Sequence, residues 1–125
     1  MVDYILTMNS DQCKETLKAV ELLMRLKIGQ YQELTWDLVS THRKGTDDSL
    51  VEADEHLRAA FNIFNKDKKP SEYKDTEWYV LYNLYQVLRK AIHDAEHPEG
   101  KGIDSWEPMQ LTEVPLPKIT WEKKE

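Results

Sequence analysis

The longest apolar run of the chain lies near its middle, at residues 78–92 (WYVLYNLYQVLRKAI). When these residues are placed at about 100° per position, apolar side chains cover most of the helix circumference. A helix of this kind is a central one, covered by other elements. We therefore predict that the rest of the chain wraps this helix. The polar side chains outside the apolar stripes fall in one narrow strip with Tyr79, and they are Asn83, Gln86, Lys90 and the following His93.

Apolar positions at steps of three and four residues predict three main helices, over residues 11–40, 49–65 and 72–97. Gly29 lies inside the first of them, where a glycine costs ~1 kcal/mol relative to alanine. The first helix therefore either continues through Gly29 or breaks there, which gives three or four helices.

Capping boxes mark two of the predicted helix starts. Asn9 with Gln12 fits such a box before the first helix, and Ser49 with Glu52 fits one before the second. Pro70 enforces a stop between the second and third helices. These signals favour short polar connections between helices.

The two ends of the chain predict extended arms. Residues 1–8 are β-prone, and residues 103–125 contain prolines together with too many apolar residues for a disordered tail. We expect Trp106 and Trp121 to pack on the helices or on a second subunit. The predicted fold is all-α: a single domain, built as a three- to four-helix bundle with a central apolar helix and extended N- and C-terminal arms.

Charge and composition exclude several classes of partner. The net charge is −6 and the basic residues are not clustered, so nucleic acid is not expected to bind. No apolar run reaches the ~18 residues of a membrane span. Nothing at the N-terminus reads as a signal peptide, so we expect a cytoplasmic protein. The single cysteine, Cys13, falls on an apolar helix stripe and is interpreted as a core residue.

Residues 21–34 (ELLMRLKIGQYQEL) form an apolar helical stretch with the sequence Ile-Gly-Gln-Tyr. This stretch resembles the opening helix of small uncharacterised all-α proteins of phages and prophages. The resemblance implies a small accessory protein, since phages carry compact binders that neutralise host defence. It implies no catalytic residue.

Acidic residues at Glu52, Glu55, Glu72 and Asp75 repeat one spacing on two predicted helices. The pattern resembles the metal-binding signature of the MazG-like all-α nucleotide pyrophosphohydrolases, in which paired acids hold Mg²⁺ against nucleotide phosphates. Glu52 and Glu55, however, project away from the apolar stripe of their helix. Glu72 and Asp75 fall at a helix start, where negative charge is favourable in any protein. We therefore prefer solvated acids, and a magnesium enzyme is the alternative.

His93 and His97 are four residues apart on one helix, a spacing that suits two metal ligands. A zinc site needs further ligands, and His42 or His56 could supply only one of them. Histidines near a helix C-terminus also complement the helix dipole. We therefore predict neither a metal site nor a cofactor.

Arg89 points into the apolar stripe of the central helix, and a buried guanidinium needs a partner. That partner is either a carboxylate such as Glu21 or an anionic ligand. Arginine binds phosphate and carboxylate groups in a bidentate manner, and aromatic rings stack on bases. The candidate ligand-binding residues are Arg89, Tyr82, Tyr85, Arg25, Tyr31, Trp36 and Trp78.

The first predicted helix is apolar on a second side, at Leu22 and Leu26, with Ala19 and Leu23 beside them. The remaining elements are too few to cover this side as well. We therefore predict a homo-oligomer with these residues at its interface, and a two-fold dimer is the simplest arrangement.

These observations favour a small non-enzymatic binding protein. We expect a phage accessory protein with a counter-defence role that captures either a host protein or a small anionic ligand such as a nucleotide. The alternatives are the MazG-like enzyme and a purely structural oligomer.

Overall fold

The computed structural model describes residues 2–31, 47–99 and 106–123. The α-helices in these ranges are α1 over Ser10–Lys27, α2 over Asp47–Phe64 and α3 over Thr76–Glu96. The described ranges contain no strand, which confirms the all-α class there. None of these helices is long and apolar enough to cross a membrane.

The chain divides into two compact units. The first unit comprises Met1–Glu21 and Val80–Glu125, and the second comprises Leu22–Tyr79. The boundaries fall within α1 and α3, so each of these helices contributes residues to both units. The single domain and the bundle around a central helix stay predictions.

The capping box predicted at the start of α1 is confirmed. The backbone N–H of Asn9 donates to Oε1 of Gln12 at 3.0 Å, and the N–H of Gln12 donates to Oδ1 of Asn9 at 2.9 Å. Two backbone donors that have no partner inside the helix are thereby satisfied. The other predicted box pairs Ser49 with Glu52, and the side chain of Ser49 lies outside the described ones. The helix α2 begins at Asp47, two residues before the predicted start at residue 49.

The continuous helix expected over residues 11–40 is wrong, because α1 ends at Lys27. Gly29 has a φ of 85°, a left-handed conformation that favours glycine. The N–H of Gly29 bonds to the carbonyl of Leu26 at 3.1 Å, and that of Gln30 to the carbonyl of Arg25 at 2.8 Å. These bonds form a glycine cap, so the end of α1 matches the other option, a break near Gly29. Residues 32–40 lie outside the described residues.

Close packing in the second unit explains why Gly29 has no side chain. A Cβ placed on Gly29 would lie 2.9 Å from the ring of Phe61. Phe61 in turn packs edge-on against Tyr73, with ring centroids 5.3 Å apart. The ring of Phe61 on α2 thus covers the turn that ends α1.

The third helix is predicted over residues 72–97, whereas α3 spans Thr76–Glu96. Pro70–Glu72 instead forms a short 3-10 turn. Asp75 caps α3, because its Oδ1 accepts the N–H of Trp78 at 2.9 Å. Lys27 lies 3.3 Å from Asp75 and 3.2 Å from Glu77. The Trp78 hydrogen bond, followed by the Lys27 charge, lowers the pKa of Asp75.

Candidate functional site

The polar strip of α3 is largely buried. Asn83 is only 2% exposed and Gln86 only 8% exposed, and His93 is also buried. Buried carboxamides are unusual in the middle of an apolar helix, because each needs hydrogen-bond partners. The contacts of this strip therefore show what covers it.

The C-terminal tail (residues 106–123) covers part of the strip within the first unit. The side-chain Nε2 of Gln86 donates to the carbonyl of Met109 at 3.0 Å, and the N–H of Met109 donates to Oε1 of Gln86 at 2.8 Å. One glutamine therefore binds both backbone groups of a single residue, as a neighbouring strand does in an antiparallel pair. We call this contact the Gln86 clamp.

Lys90 extends the contact with the tail by one helical turn. Its Nζ lies 2.8 Å from Asp94 and 3.8 Å from Glu107. The hydrogen bond with Asp94 raises the pKa of Lys90 and lowers the pKa of Asp94. Glu107 lies beside Lys90 and Met109 beside Gln86, so the tail runs antiparallel to α3.

A cavity of about 220 Å³ lies farther along the same strip. We call it the Asn83 cavity. Three of its lining residues come from α3 and three from the tail. They are Val80, Asn83 and Leu84, with Val114, Pro115 and Pro117.

Asn83 is the only polar residue among the described residues that line the cavity. Neither its Nδ2 nor its Oδ1 has a hydrogen-bond partner among the residues that the structure describes. The tail explains part of this, since Pro115 and Pro117 carry no backbone N–H. The N–H of Val114 already donates to Oγ1 of Thr112, at 3.3 Å. The chain thus places Asn83 at the wall of a cavity, and both polar atoms of its carboxamide are buried there without a described partner.

The arrangement at Asn83 has a cost in stability and a corresponding capacity to bind. A buried donor or acceptor without a partner costs ~1–3 kcal/mol. A ligand that offers an N–H and a C=O would satisfy both atoms, as the backbone of Met109 does for Gln86. The apolar groups of such a ligand would contact the valine, leucine and proline side chains of the cavity.

Three of the predicted ligand-binding residues lie in the first unit. Nη1 of Arg89 donates to the hydroxyl of Tyr85 at 3.0 Å, and its guanidinium lies 5.0 Å from the centroid of that ring. The rings of Tyr82 and Tyr85 are 6.3 Å apart. Arg89 is partly buried, as expected, and it engages a tyrosine of its own helix.

The other predicted ligand-binding residues lie in the second unit, apart from Trp36, which is outside the described residues. Nη1 of Arg25 donates a hydrogen bond to Oε1 of Gln30 at 2.9 Å. Tyr31 is buried, and its hydroxyl accepts a hydrogen bond from Nε of Arg58 at 2.9 Å. Trp78 is buried, and Nζ of Lys74 lies 4.8 Å from the centroid of its ring. An anion pocket formed from all of these residues stays a prediction.

The four acidic residues of the enzyme hypothesis have ordinary surroundings. Glu52, Glu55 and Glu72 are exposed, and Asp75 caps α3. Across the described ranges, no group of three or more His, Cys, Asp or Glu side chains is placed to hold a metal ion. The magnesium enzyme stays a prediction.

The two histidines near the end of α3 differ in burial. The rings of His93 and His97 are 5.1 Å apart, but His93 is buried and His97 is exposed. Nδ1 of His93 lies 3.5 Å from Asp94, and Nδ1 of His97 lies 3.5 Å from Glu99. His42 lies outside the described residues. Each imidazole of this pair thus has a nearby carboxylate.

The predicted oligomer interface is only partly exposed. Ala19 and Leu23 are exposed, whereas Leu22 and Leu26 are partly buried within the chain. The interface stays a prediction. In the tail, Trp106 is 70% exposed, so it does not pack on the helices of its own chain, and its packing on a second subunit, the other expectation, stays a prediction.

The sequence contains two patterns that point to the Asn83 cavity, and a helix wheel shows only one of them. Asn83 and Gln86 are three residues apart within an apolar helix, on the side that polarity predicts to be least covered. The tail combines apolar residues with prolines, which is typical of a segment that packs in an extended form. Together these patterns indicate a polar helix face that binds extended backbone.

No protein-family model matches the chain, and neither a curated protein nor a solved structure matches it significantly. The resemblance of residues 21–34 to phage and prophage proteins stays a prediction.

Proposed function

We propose that this chain is a small non-enzymatic binding protein whose ligand is an extended polypeptide segment of a partner protein. The Asn83 cavity is the proposed binding site. The observation that carries the proposal is the buried carboxamide of Asn83, whose two polar atoms have no partner among the described residues. Such groups are rare in native proteins and call for an explanation.

The Gln86 clamp supports a polypeptide ligand. Gln86 and Asn83 carry the same functional group, and they lie on the same strip of α3. Gln86 binds one N–H and one C=O of an extended segment, at 2.8 and 3.0 Å. Asn83 carries the same donor and acceptor, and a peptide group that enters the cavity reaches these buried atoms when the side chains around them move apart.

The size and lining of the cavity favour a protein partner over a nucleotide. A volume of about 220 Å³ exceeds the ~150 Å³ of a cavity that admits benzene, and it is below the ~300 Å³ of small-molecule pockets. It suits one apolar side chain with its peptide group. None of its described lining residues is a cation that could neutralise phosphate. Of the two expected ligands, a host protein therefore fits this site better than a small anion, in keeping with a phage accessory role.

A displayed library of random heptapeptides, selected on the full chain, tests this function. Asn83→Leu serves as the counter-target, and Asn62→Leu on α2 is the matched control because Asn62 is exposed. We expect selected peptides to bind the wild type and Asn62→Leu equally, and Asn83→Leu at least tenfold more weakly. A selection that yields no peptide sensitive to Asn83→Leu would contradict the proposal.

A nucleotide panel completes the test. A ligand present at 100 times its Kd adds ~2.7 kcal/mol to the free energy of unfolding, which a thermal melt detects. We expect no Asn83-dependent stabilisation by nucleotides. Such stabilisation would make a small anion the ligand of this site.

A further inference from the structure

We propose that, in the absence of a partner protein, the Asn83 cavity is occupied by residues 2–8 of a second copy of this chain. This inference rests on the proposed function, because it assigns the same site a resident polypeptide that a partner must displace. It joins two observations on the first unit: an unsatisfied carboxamide in a cavity and an uncovered apolar segment.

Residues 2–8 (VDYILTM), the N-terminal arm, expose large apolar side chains. Ile5 is 94% exposed, and Tyr4 and Leu6 are exposed to a similar degree. The arm has no regular secondary structure, and the backbone of residues 2–7 bonds to no other described residue. Soluble proteins rarely leave contiguous apolar groups of this kind uncovered.

The arm has the chemistry that the cavity lacks. It contains no proline, so each of its peptide groups offers both an N–H and a C=O. The tail residues Pro115 and Pro117, which line the cavity, have no N–H to offer Asn83. In an extended arm, Tyr4 and Leu6 point to the same side. One of these side chains can fill the apolar space, and an adjacent peptide group can bond to Asn83 when the side chains that bury its amide move apart.

A second copy is the occupant that accounts for both observations. The arm of the same chain lies exposed, and no described residue of that chain bonds to the Asn83 carboxamide. Seven residues at about 3.3 Å each give the arm a reach of about 23 Å when it is extended. If two copies exchange arms, each cavity is filled and each arm is covered. Such an exchange closes as a two-fold dimer, the commonest symmetric assembly.

Light scattering on the full chain between about 1 and 100 μM, the range in which weak dimers dissociate, tests the exchange. We expect a wild-type dimer, and at least a tenfold rise in the dimer Kd for Tyr4→Ser/Leu6→Ser and for Asn83→Leu. The matched control is Asp3→Ser/Thr7→Ser, which changes polar residues of the same exposed arm and should leave the Kd unchanged. A wild-type monomer throughout would overturn the inference. A dimer weakened only by Leu22→Glu/Leu26→Glu would overturn it as well and would place the interface on α1.

A peptide titration separates this inference from the proposed function. The synthetic peptide VDYILTM is added to full-length Tyr4→Ser/Leu6→Ser, and its binding is compared with that of a scrambled peptide. We expect saturable binding of VDYILTM that Asn83→Leu weakens at least tenfold. If library peptides bind at Asn83 and VDYILTM does not, the arm is excluded and the proposed function stands. If no peptide responds to Asn83→Leu, both proposals fail.

Discussion

Replacing Asn83 or Gln86 by leucine should change the stability of the protein in opposite directions. The two carboxamides are three residues apart on α3 and nearly equally buried, but only Gln86 has hydrogen-bond partners among the described residues. Asn83→Leu removes a buried group whose polar atoms are unsatisfied. Gln86→Leu leaves the N–H and C=O of Met109 without their partner. If the two carboxamides had equivalent surroundings, both substitutions would have the same sign.

The magnitudes follow from the hydrogen bonds. A buried polar atom without a partner costs ~1–3 kcal/mol, and its replacement by an apolar group of similar shape is neutral or stabilising. We expect Asn83→Leu to raise the free energy of unfolding by ~1–2 kcal/mol. Gln86→Leu loses two hydrogen bonds of ~0.5–1.5 kcal/mol each, so we expect a loss of ~1–3 kcal/mol. At roughly 4 °C per kcal/mol, the melting temperatures should differ by about 8–20 °C.

Urea denaturation followed by circular dichroism measures both effects. The Tyr4→Ser/Leu6→Ser background removes any contribution of a second copy, and Asn62→Leu controls for the change from asparagine to leucine. We expect Asn62→Leu to stay within ~0.5 kcal/mol of the background, as surface substitutions do. A loss of more than ~1 kcal/mol for Asn83→Leu would refute the reasoning, because it would mean that the Asn83 amide is already hydrogen-bonded, for example to water.

The remaining predictions concern other parts of the chain. Gly29→Ala should lower the free energy of unfolding in urea by ~2–4 kcal/mol, because alanine is strained in the left-handed conformation and its Cβ meets the Phe61 ring. Adding Phe61→Leu should relieve the contact with the ring and leave the backbone strain. Asp75→Ala should lower the free energy of unfolding by ~1 kcal/mol, because it removes the helix cap, and Asp75→Asn should lower it by less. Because the pKa of Asp75 is lowered, the stability advantage of the wild type over Asp75→Asn should be present above pH ~4 and vanish as the pH falls through that pKa. Burial raises the pKa of Cys13, so iodoacetamide should alkylate it more slowly than free cysteine at about pH 8, and equal rates would contradict this.

Local signals predict the helix ends of this chain well where they depend on neighbouring residues. The capping box of Asn9 and Gln12 forms as predicted, since both of its hydrogen bonds lie within one turn. The end of α1 is harder to predict, because a glycine within an apolar stripe fits both a continuous helix and a break. The Phe61 ring beside Gly29 favours the turn there, and no local pattern reveals such a contact.

The candidate site can be predicted only in part from the sequence, for a different reason. The periodicity of α3 correctly groups Asn83 and Gln86 on one strip, but polarity alone assigns that strip to the least covered side. The tail reverses this assignment, because the backbone of Met109 needs hydrogen-bond partners and Gln86 supplies them. A helix wheel shows which residues share a face, and it does not show which distant segment covers that face.

The most direct test of the central claim is the side-chain amide signal of Asn83 in a nitrogen–proton NMR spectrum. The tightest library peptide is added to ¹⁵N-labelled protein until it saturates, with the exposed Asn62 amide as internal reference. We predict that the Asn83 amide protons shift downfield and exchange more slowly with water on binding, while those of Asn62 do not change. Saturation by the peptide without any change at Asn83 would contradict the claim that this carboxamide is the ligand-binding group.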